Sequence, residues 1–212
     1  MTKPSIHFRT RGGPNHGWGN IHRLADFAGR CRDRGHDGIL FFAEGPPEVA
    51  AYLSGRGFET VALTEDIALE EEREILASHP KSDVMISEML DCAPGLQAVL
   101  GERAAKLVIF DDLLDHRYAA DLVVCAQALP AYGNIEISAP GTEFLCGYDY
   151  FMFGPAYGKY ESRRRVFAKT VSTVLVAFGW YAYDTMSLER TVIRQTWRST
   201  GTGYYVLAHE EV

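Results

Sequence analysis

The chain has 212 residues, 47% of them hydrophobic and 23% charged, with a formal net charge of −7. That length holds one sizeable domain, or one with a small companion, and the composition excludes a disordered chain. The negative balance excludes a general nucleic-acid binder, which needs a basic surface to displace counterions.

In chain order, "SIHFRT" (5–10) predicts a first strand that runs into a glycine-rich turn. From Gly19 to Arg34 the apolar positions Ile21, Leu24, Ala25, Ala28 and Cys31 recur on one helical face, and Gly35 supplies a stop. "DGILFFAE" (37–44) is a continuous apolar run suited to a strand covered on both faces. Pro46 and Pro47 can open a helix with Val49, Tyr52 and Leu53 inward and Gly57 beyond its end. "FETVAL" (58–63) alternates like a strand, and Thr64 can cap an acidic helix through "EDIALEEEREIL". "DVMISEML" (83–90), a helix over "PGLQAVLGERA", "KLVIFDD" (106–112) and "DLVVCA" (121–126) complete the series. Strands alternating with helices at this spacing predict an α/β fold with a doubly wound, mostly parallel sheet, Rossmann-like in arrangement.

After residue 126 the Gly-, Tyr- and Pro-rich stretch to Arg165 reads as irregular. "VSTVLVAFG" (171–179), a helix over about 185–198 and "GYYVLAH" (203–209) then read as one more βαβ unit, too little apolar material for an independent domain. The expected division is a lobe over 1–165 and a short βαβ stub or C-terminal extension over 166–212.

Cys31, Cys92, Cys125 and Cys146 are scattered, with no CxxC pair and no metal-ligand spacing, and read as buried thiols. No metal or cofactor is expected. The opening "MTKPSIHFRTRGG" lacks the apolar core of a signal peptide, and no stretch reaches the roughly 20 apolar residues of a membrane span. A cytoplasmic protein with no membrane span is the expectation. The run Glu70–Glu72 reads as a solvated helix face. Arg163–Arg165 read as an exposed linker, with phosphate binding as the alternative.

"GPNHGWGNIHRLADFA" lies where the first strand meets the first helix, the edge at which open α/β sheets bind ligands. Free N–H groups and the positive helix end there suit a phosphate or carboxylate. The turn has GxG without a third glycine and no GK[ST], so it is neither a dinucleotide fingerprint nor a Walker loop. For Gly17, Gly19 and Asn20 two readings stand together: a helix start with Asn as cap, or a ligand site. Arg9 and Arg11 are strand-end charges in solvent, or they face an anionic ligand. Arg23 can form a salt bridge on the helix surface. Asp111 and Asp112 cap the next turn or contact a ligand. Tyr157 reads as packing or linker.

The stretch "HFRTRGGPNHGWGNIHRLADFA" resembles the opening of the UDP-sugar hydrolase of pseudaminic acid biosynthesis and of the related spore coat polysaccharide biosynthesis proteins. "KLVIFDD", "DLVVCAQ", "FMFGPAY" and "VLVAFG" follow in the order that family shows. The resemblance implies the first lobe of a two-lobed glycosyltransferase-type fold, a sugar nucleotide in the cleft, and water attacking the anomeric carbon. It implies a base or water-positioning group at the turn histidine, which falls on Asn20 here. An amide has no titratable proton near neutral pH, so Asn20 can orient water or hold a hydroxyl but cannot act as base. His22 faces away along the helix, while His16 in the preceding loop can reach the same cleft. The family's aspartate–aromatic stretch reads "ISEML", leaving Glu88 as the nearest acid and Met89 in the aromatic's place. "FGWYAY" puts Trp180 where backbone should approach phosphate, and the rest of the second lobe is curtailed.

The candidate site is therefore Asn20 and His16 for catalysis, with Arg9, Arg11, Gly17, Gly19, Arg23, Glu88 and Asp112 on the ligand. The leading expectation is a protein of surface polysaccharide or nonulosonic acid synthesis that hydrolyses or transfers from a UDP- or CMP-sugar. A second chain or a second copy would then complete the cleft. The competing class is a non-catalytic sugar-nucleotide-binding or assembly protein. A third is an unrelated α/β protein with a phosphate-binding turn.

Overall fold

The computed structural model describes residues 3–89, 92–111, 117–126 and 141–160, and the backbone of strands at 173–178, 198–199 and 204–209. The chain divides into two compact units, Met1–Gly158 and Lys159–Val212. In the first, the elements run β1 (Ile6–Arg11), α1 (Gly19–Asp33), β2 (Ile39–Glu44), α2 (Pro47–Gly55), β3 (Glu59–Leu63), α3 (Leu69–Ala77), β4 (Ser82–Glu88), α4 (Pro94–Glu102), β5 (Ala104–Phe110), β6 (Leu122–Cys125) and β7 (Glu143–Cys146).

The strands form one sheet in the order β3-β2-β1-β4-β5-β6-β7, and every pairing is parallel. The order reverses between β1 and β4, which makes the ends of those two strands the topological switch point. Strand alternation divides the core in two. Phe8, Phe41 and Ile86 pack with Ile21, Leu24, Ala25 and Ala28 of α1 and Val49 and Leu53 of α2. Leu40, Phe42, Met85 and Ile109 pack with Leu76 of α3 and Val99 and Leu100 of α4 on the other face. All six residues of β2 are buried, as expected of a strand covered on both sides. The fold is α/β, doubly wound and Rossmann-like.

Several expectations change. Thr64 does not cap the third helix, which starts at Leu69 with Ala68 at its cap. Asp66 takes a left-handed backbone (φ 57°) and its N–H donates to Glu44 Oε1 at 3.0 Å, so the loop is spent on that contact before the helix begins. The stretch expected to be irregular contributes β7, in parallel register with β6 from Leu122↔Glu143 to Cys125↔Cys146. Of the four cysteines, Cys92 and Cys125 are buried, Cys31 is half-buried and Cys146 is exposed on that edge strand.

In the second unit, β8 (Thr173–Phe178), β9 (Arg198–Ser199) and β10 (Tyr204–His209) form a sheet in the order β8-β10-β9. β10 pairs antiparallel with both neighbours, so β8 and β10 are not the parallel pair that a βαβ crossover makes. The helix expected over about 185–198 lies outside the described residues, except Arg198, which is in β9. Leu90, Asp112, Arg163–Arg165 and Trp180 also lie outside the described residues.

The expectation that Glu70–Glu72 form a solvated face fails at Glu72. Its side chain is 3% exposed and accepts from Arg9, itself 0% exposed, at 2.6 Å (Nε to Oε1) and 3.0 Å (Nη2 to Oε2). Arg9 Nη2 also bonds Glu44 Oε2 on β2, and Nη1 donates to the Thr10 carbonyl at 2.8 Å. Arg11 Nε reaches the same Glu44 oxygen at 3.0 Å. A guanidinium buried between two carboxylates thus joins β1, β2 and α3. Burial alone would raise the Glu44 carboxyl, but hydrogen bonds from Arg9 and Arg11 and their charges outweigh it and hold the group below the usual carboxylate range. A group depressed in this way contributes stability above its unfolded value, about 4.3, and the contribution is lost as pH falls through the folded value. Denaturant titrations of wild type and Glu44→Gln are therefore expected to differ most near neutrality and to converge in acid, once the pH has fallen through the folded value. A gap that stays constant into strong acid would remove ionised Glu44 as its source.

Candidate functional site

The glycine turn is built against the protein itself at its base and is open at its helix end. Gly12 donates its N–H to the Glu44 carbonyl at 3.0 Å, and Gly13 and Gly17 close a small bridge with an N–H···O of 3.0 Å. A Cβ on Gly12 would lie 2.3 Å from the Ile21 side chain, and one on Gly13 (φ +122°) would lie 2.6 Å from Pro46. Gly17 (φ +74°) and Gly19 have nothing within 4 Å of such an atom. The cap of α1 is Trp18, with no side-chain hydrogen bond, and the first helical turn holds no acid. Asn20 is consequently inside the first turn and not the cap.

Parity along the strands then splits the candidates into two groups. Glu88 shares the phase of Ile86, which packs under α1, so its side chain is directed to α1. It is 2% exposed at the end of β4 and forms an ion pair with Nε of Arg23. Arg23 Nη2 in turn donates to Asn20 Oδ1 at 3.4 Å, a long contact. Thr10 Oγ1 donates to the Glu88 carbonyl at 3.3 Å and joins β1 to β4 at the switch point. Arg9 and Arg11 have the opposite phase and pair with Glu44 and Glu72, on the α3 side of the sheet. Arg9 is wholly enclosed and out of reach of a ligand, which corrects both of its expected roles. Arg11 is 24% exposed but shares that acid cluster.

His16 is held at the loop on the far side of β2. Its Nε2 lies 3.8 Å from Glu65 Oε1, an oxygen that also accepts from Asn15 Nδ2 at 2.7 Å. The acid it faces is thus in the β3–α3 loop and not in the Asn20–Arg23–Glu88 chain. His22 is exposed and its Nδ1 meets the Tyr52 hydroxyl of α2 at 2.7 Å, away from the candidate site. Asp111 is buried and accepts from the Tyr118 hydroxyl at 2.6 Å, a role in holding the β5–β6 connection.

Arg23 and Glu88 open onto a crevice of about 10 Å³, walled by Phe110, Val124, Ala126, Tyr150 and Met152, which is about the room one water needs. These walls were missed by sequence reasoning. Phe110 and Val124 lie on strands β5 and β6, and their shared edge follows only once strand order is known. Tyr150 and Met152 belong to "GYDYFMFGPAY", whose aromatic density was the one available signal. Chemically, the crevice joins a buried carboxylate and a guanidinium fixed by it to a mostly apolar wall, and the Asn20 amide meets that guanidinium from outside the lining. That set can bind an anion or polar oxygens, and it can order a water.

No protein-family model matches the chain, and no curated protein is similar to it at a significant level. Among solved structures it is similar to CalG4, the calicheamicin glycosyltransferase, with 15% identity and a TM-score of 0.34, covering 57% of this chain and 34% of that one. The chain thus spans about a third of that structure's length. Among the described residues no helix is long and apolar enough to cross a membrane.

Proposed function

We propose that this chain acts on a sugar nucleotide, a UDP- or CMP-sugar of surface polysaccharide synthesis, at the carboxyl edge of β4, β5 and β6. The observation that carries the reading is the Asn20–Arg23–Glu88 chain at the switch point, where the fold directs ligands. Arg23 is the group for a phosphate or an anionic sugar, and its ion pair with Glu88 holds the guanidinium in place before a ligand arrives. Gly17 and Gly19 leave the helix start open to the same ligand. The ordered resemblance to the UDP-sugar hydrolase family supports the ligand class, and the reaction in this reading is hydrolysis or transfer.

One observation favours a second reading, a non-catalytic sugar-nucleotide binder: the position of the family's base is an amide. Calorimetric titration of a UDP- and CMP-sugar panel against wild type and Arg23→Ala tests both. Saturable binding is expected, weakened about tenfold or more in Arg23→Ala through loss of a charge-assisted contact. Nucleotide release from the same panel separates enzyme from binder. Absence of binding to every member of the panel would end both readings.

A further inference from the structure

Five of the six exposed large hydrophobic side chains among the described residues fall in one short segment: Tyr148, Tyr150, Phe151, Phe153 and Tyr157. Their rings are not scattered. Phe153 lies 4.8 Å from Phe151 and 5.5 Å from Tyr157, centroid to centroid. The segment is laid along α1 and fixed there. Arg30 Nη2 donates to the Phe153 carbonyl at 2.7 Å, and Gly154 comes so close that a Cβ would lie 2.7 Å from Asp26 Oδ2. Backbone turns at Gly147–Tyr150 and Gly154–Tyr157 hold the two ends.

We propose that this aromatic cluster is a platform for a neutral carbohydrate chain, on which pyranose rings stack. The inference rests on the sugar-nucleotide reading for the chemical class of its ligand, and adds a second ligand beside the first. Three features select that class. The rings are aromatic, and the negative potential of an aromatic face suits the C–H-rich face of a pyranose, while tyrosine hydroxyls serve its edge. Within Gly147–Gly158 the one charged side chain is Asp149; Arg30 against the Phe153 carbonyl and Lys159 next in the chain fall short of the array of bases that nucleic acid or an anionic lipid surface needs. The platform is also continuous with the crevice, because Tyr150 and Met152 form the wall beside Arg23 and Glu88. A sugar chain lying on the rings would have its end at that crevice. A platform held by Arg30 and Gly154 binds without first being ordered, which is the condition for stacking to yield affinity.

The test is calorimetric titration of the full chain with cellohexaose, maltohexaose and chitohexaose. Saturable heat is expected with at least one of them. Phe153→Ala and Tyr157→Ala are each expected to weaken it about tenfold, with the thermal midpoint unchanged because both rings are exposed. Affinity for a UDP-sugar should be the same in both variants as in wild type. No heat from any hexaose overturns the proposal, as does equal affinity in the variants. Concentration-dependent self-association that either substitution abolishes also overturns it, by assigning the patch to a second copy. So does ring-dependent sedimentation with phosphatidylglycerol vesicles. UDP-sugar binding without hexaose binding removes the platform alone, and the converse removes the sugar-nucleotide reading alone.

Discussion

Arg9→Met is expected to lower the unfolding free energy by about 3–5 kcal/mol, read by denaturant titration near neutral pH. The substitution keeps most of the side-chain volume, so little of the loss comes from a cavity. It comes from leaving Glu72, buried on α3, and Glu44, buried on β2, without the guanidinium between them. Glu44 keeps Arg11 and the Asp66 N–H, and Glu72 is the more exposed to the loss of its partner. Adding Glu72→Leu to Arg9→Met is therefore expected to recover part of the stability, because an apolar pair has no buried charge left to satisfy. A single variant within about 1 kcal/mol of wild type would show that water or movement of α3 relieves the two acids.

Asn20→His is expected to raise the rate of nucleotide release from a UDP-sugar about a hundredfold or more, the usual scale of a positioned general base. The wild-type amide takes its Oδ1 to Arg23 Nη2 and has no proton to exchange. An imidazole there stands beside the Arg23–Glu88 pair and has a ring nitrogen that can take a proton from water. Release of free UDP, followed with time for wild type and variant, reads the effect directly. An unchanged rate in a variant that still binds UDP-sugar would show that position 20 does not stand beside a reacting water.

The strand–helix alternation was legible because each element carries its own period. Ile21, Leu24, Ala25 and Ala28 mark one helix face, and "ILFFAE" marks a strand with two covered faces. The parity of Phe8 against Arg9, and of Ile86 against Glu88, was also written in the chain. That Arg9 and Glu88 then fall on opposite faces follows only from the register Phe8↔Ile86, which the chain does not announce. What the sequence does not carry is which partner waits on each side. Glu72 lies 63 residues from Arg9, and from local pattern alone it belongs to an acidic, solvated run. The β7 strand was missed because "EFLC" is too short to show alternation and is preceded by turn-like residues. The antiparallel pairing of β8 with β10 was missed because the connection was read as a crossover helix. At the site, Arg23 and Glu88 were each nameable, but their ion pair depends on the angle at which α1 crosses the end of β4.

The interlocked glycines decide how the β1–α1 turn can change. Gly45 (φ +142°) stands where a Cβ would be 2.3 Å from the Gly12 carbonyl oxygen, while Gly12 is pressed on Ile21 and Gly13 on Pro46. Two neighbouring loops and one helix therefore share a single seam, and none can shift without the others. Mechanically the turn is a fixed bracket and not a flap. Room to lengthen or diversify is left at its tip, Pro14–His16, which is tied outside the turn through side chains, to Glu65. Chains of this fold would be expected to vary the tip and to leave the seam unaltered, so the loop can diverge without loosening the sheet beneath.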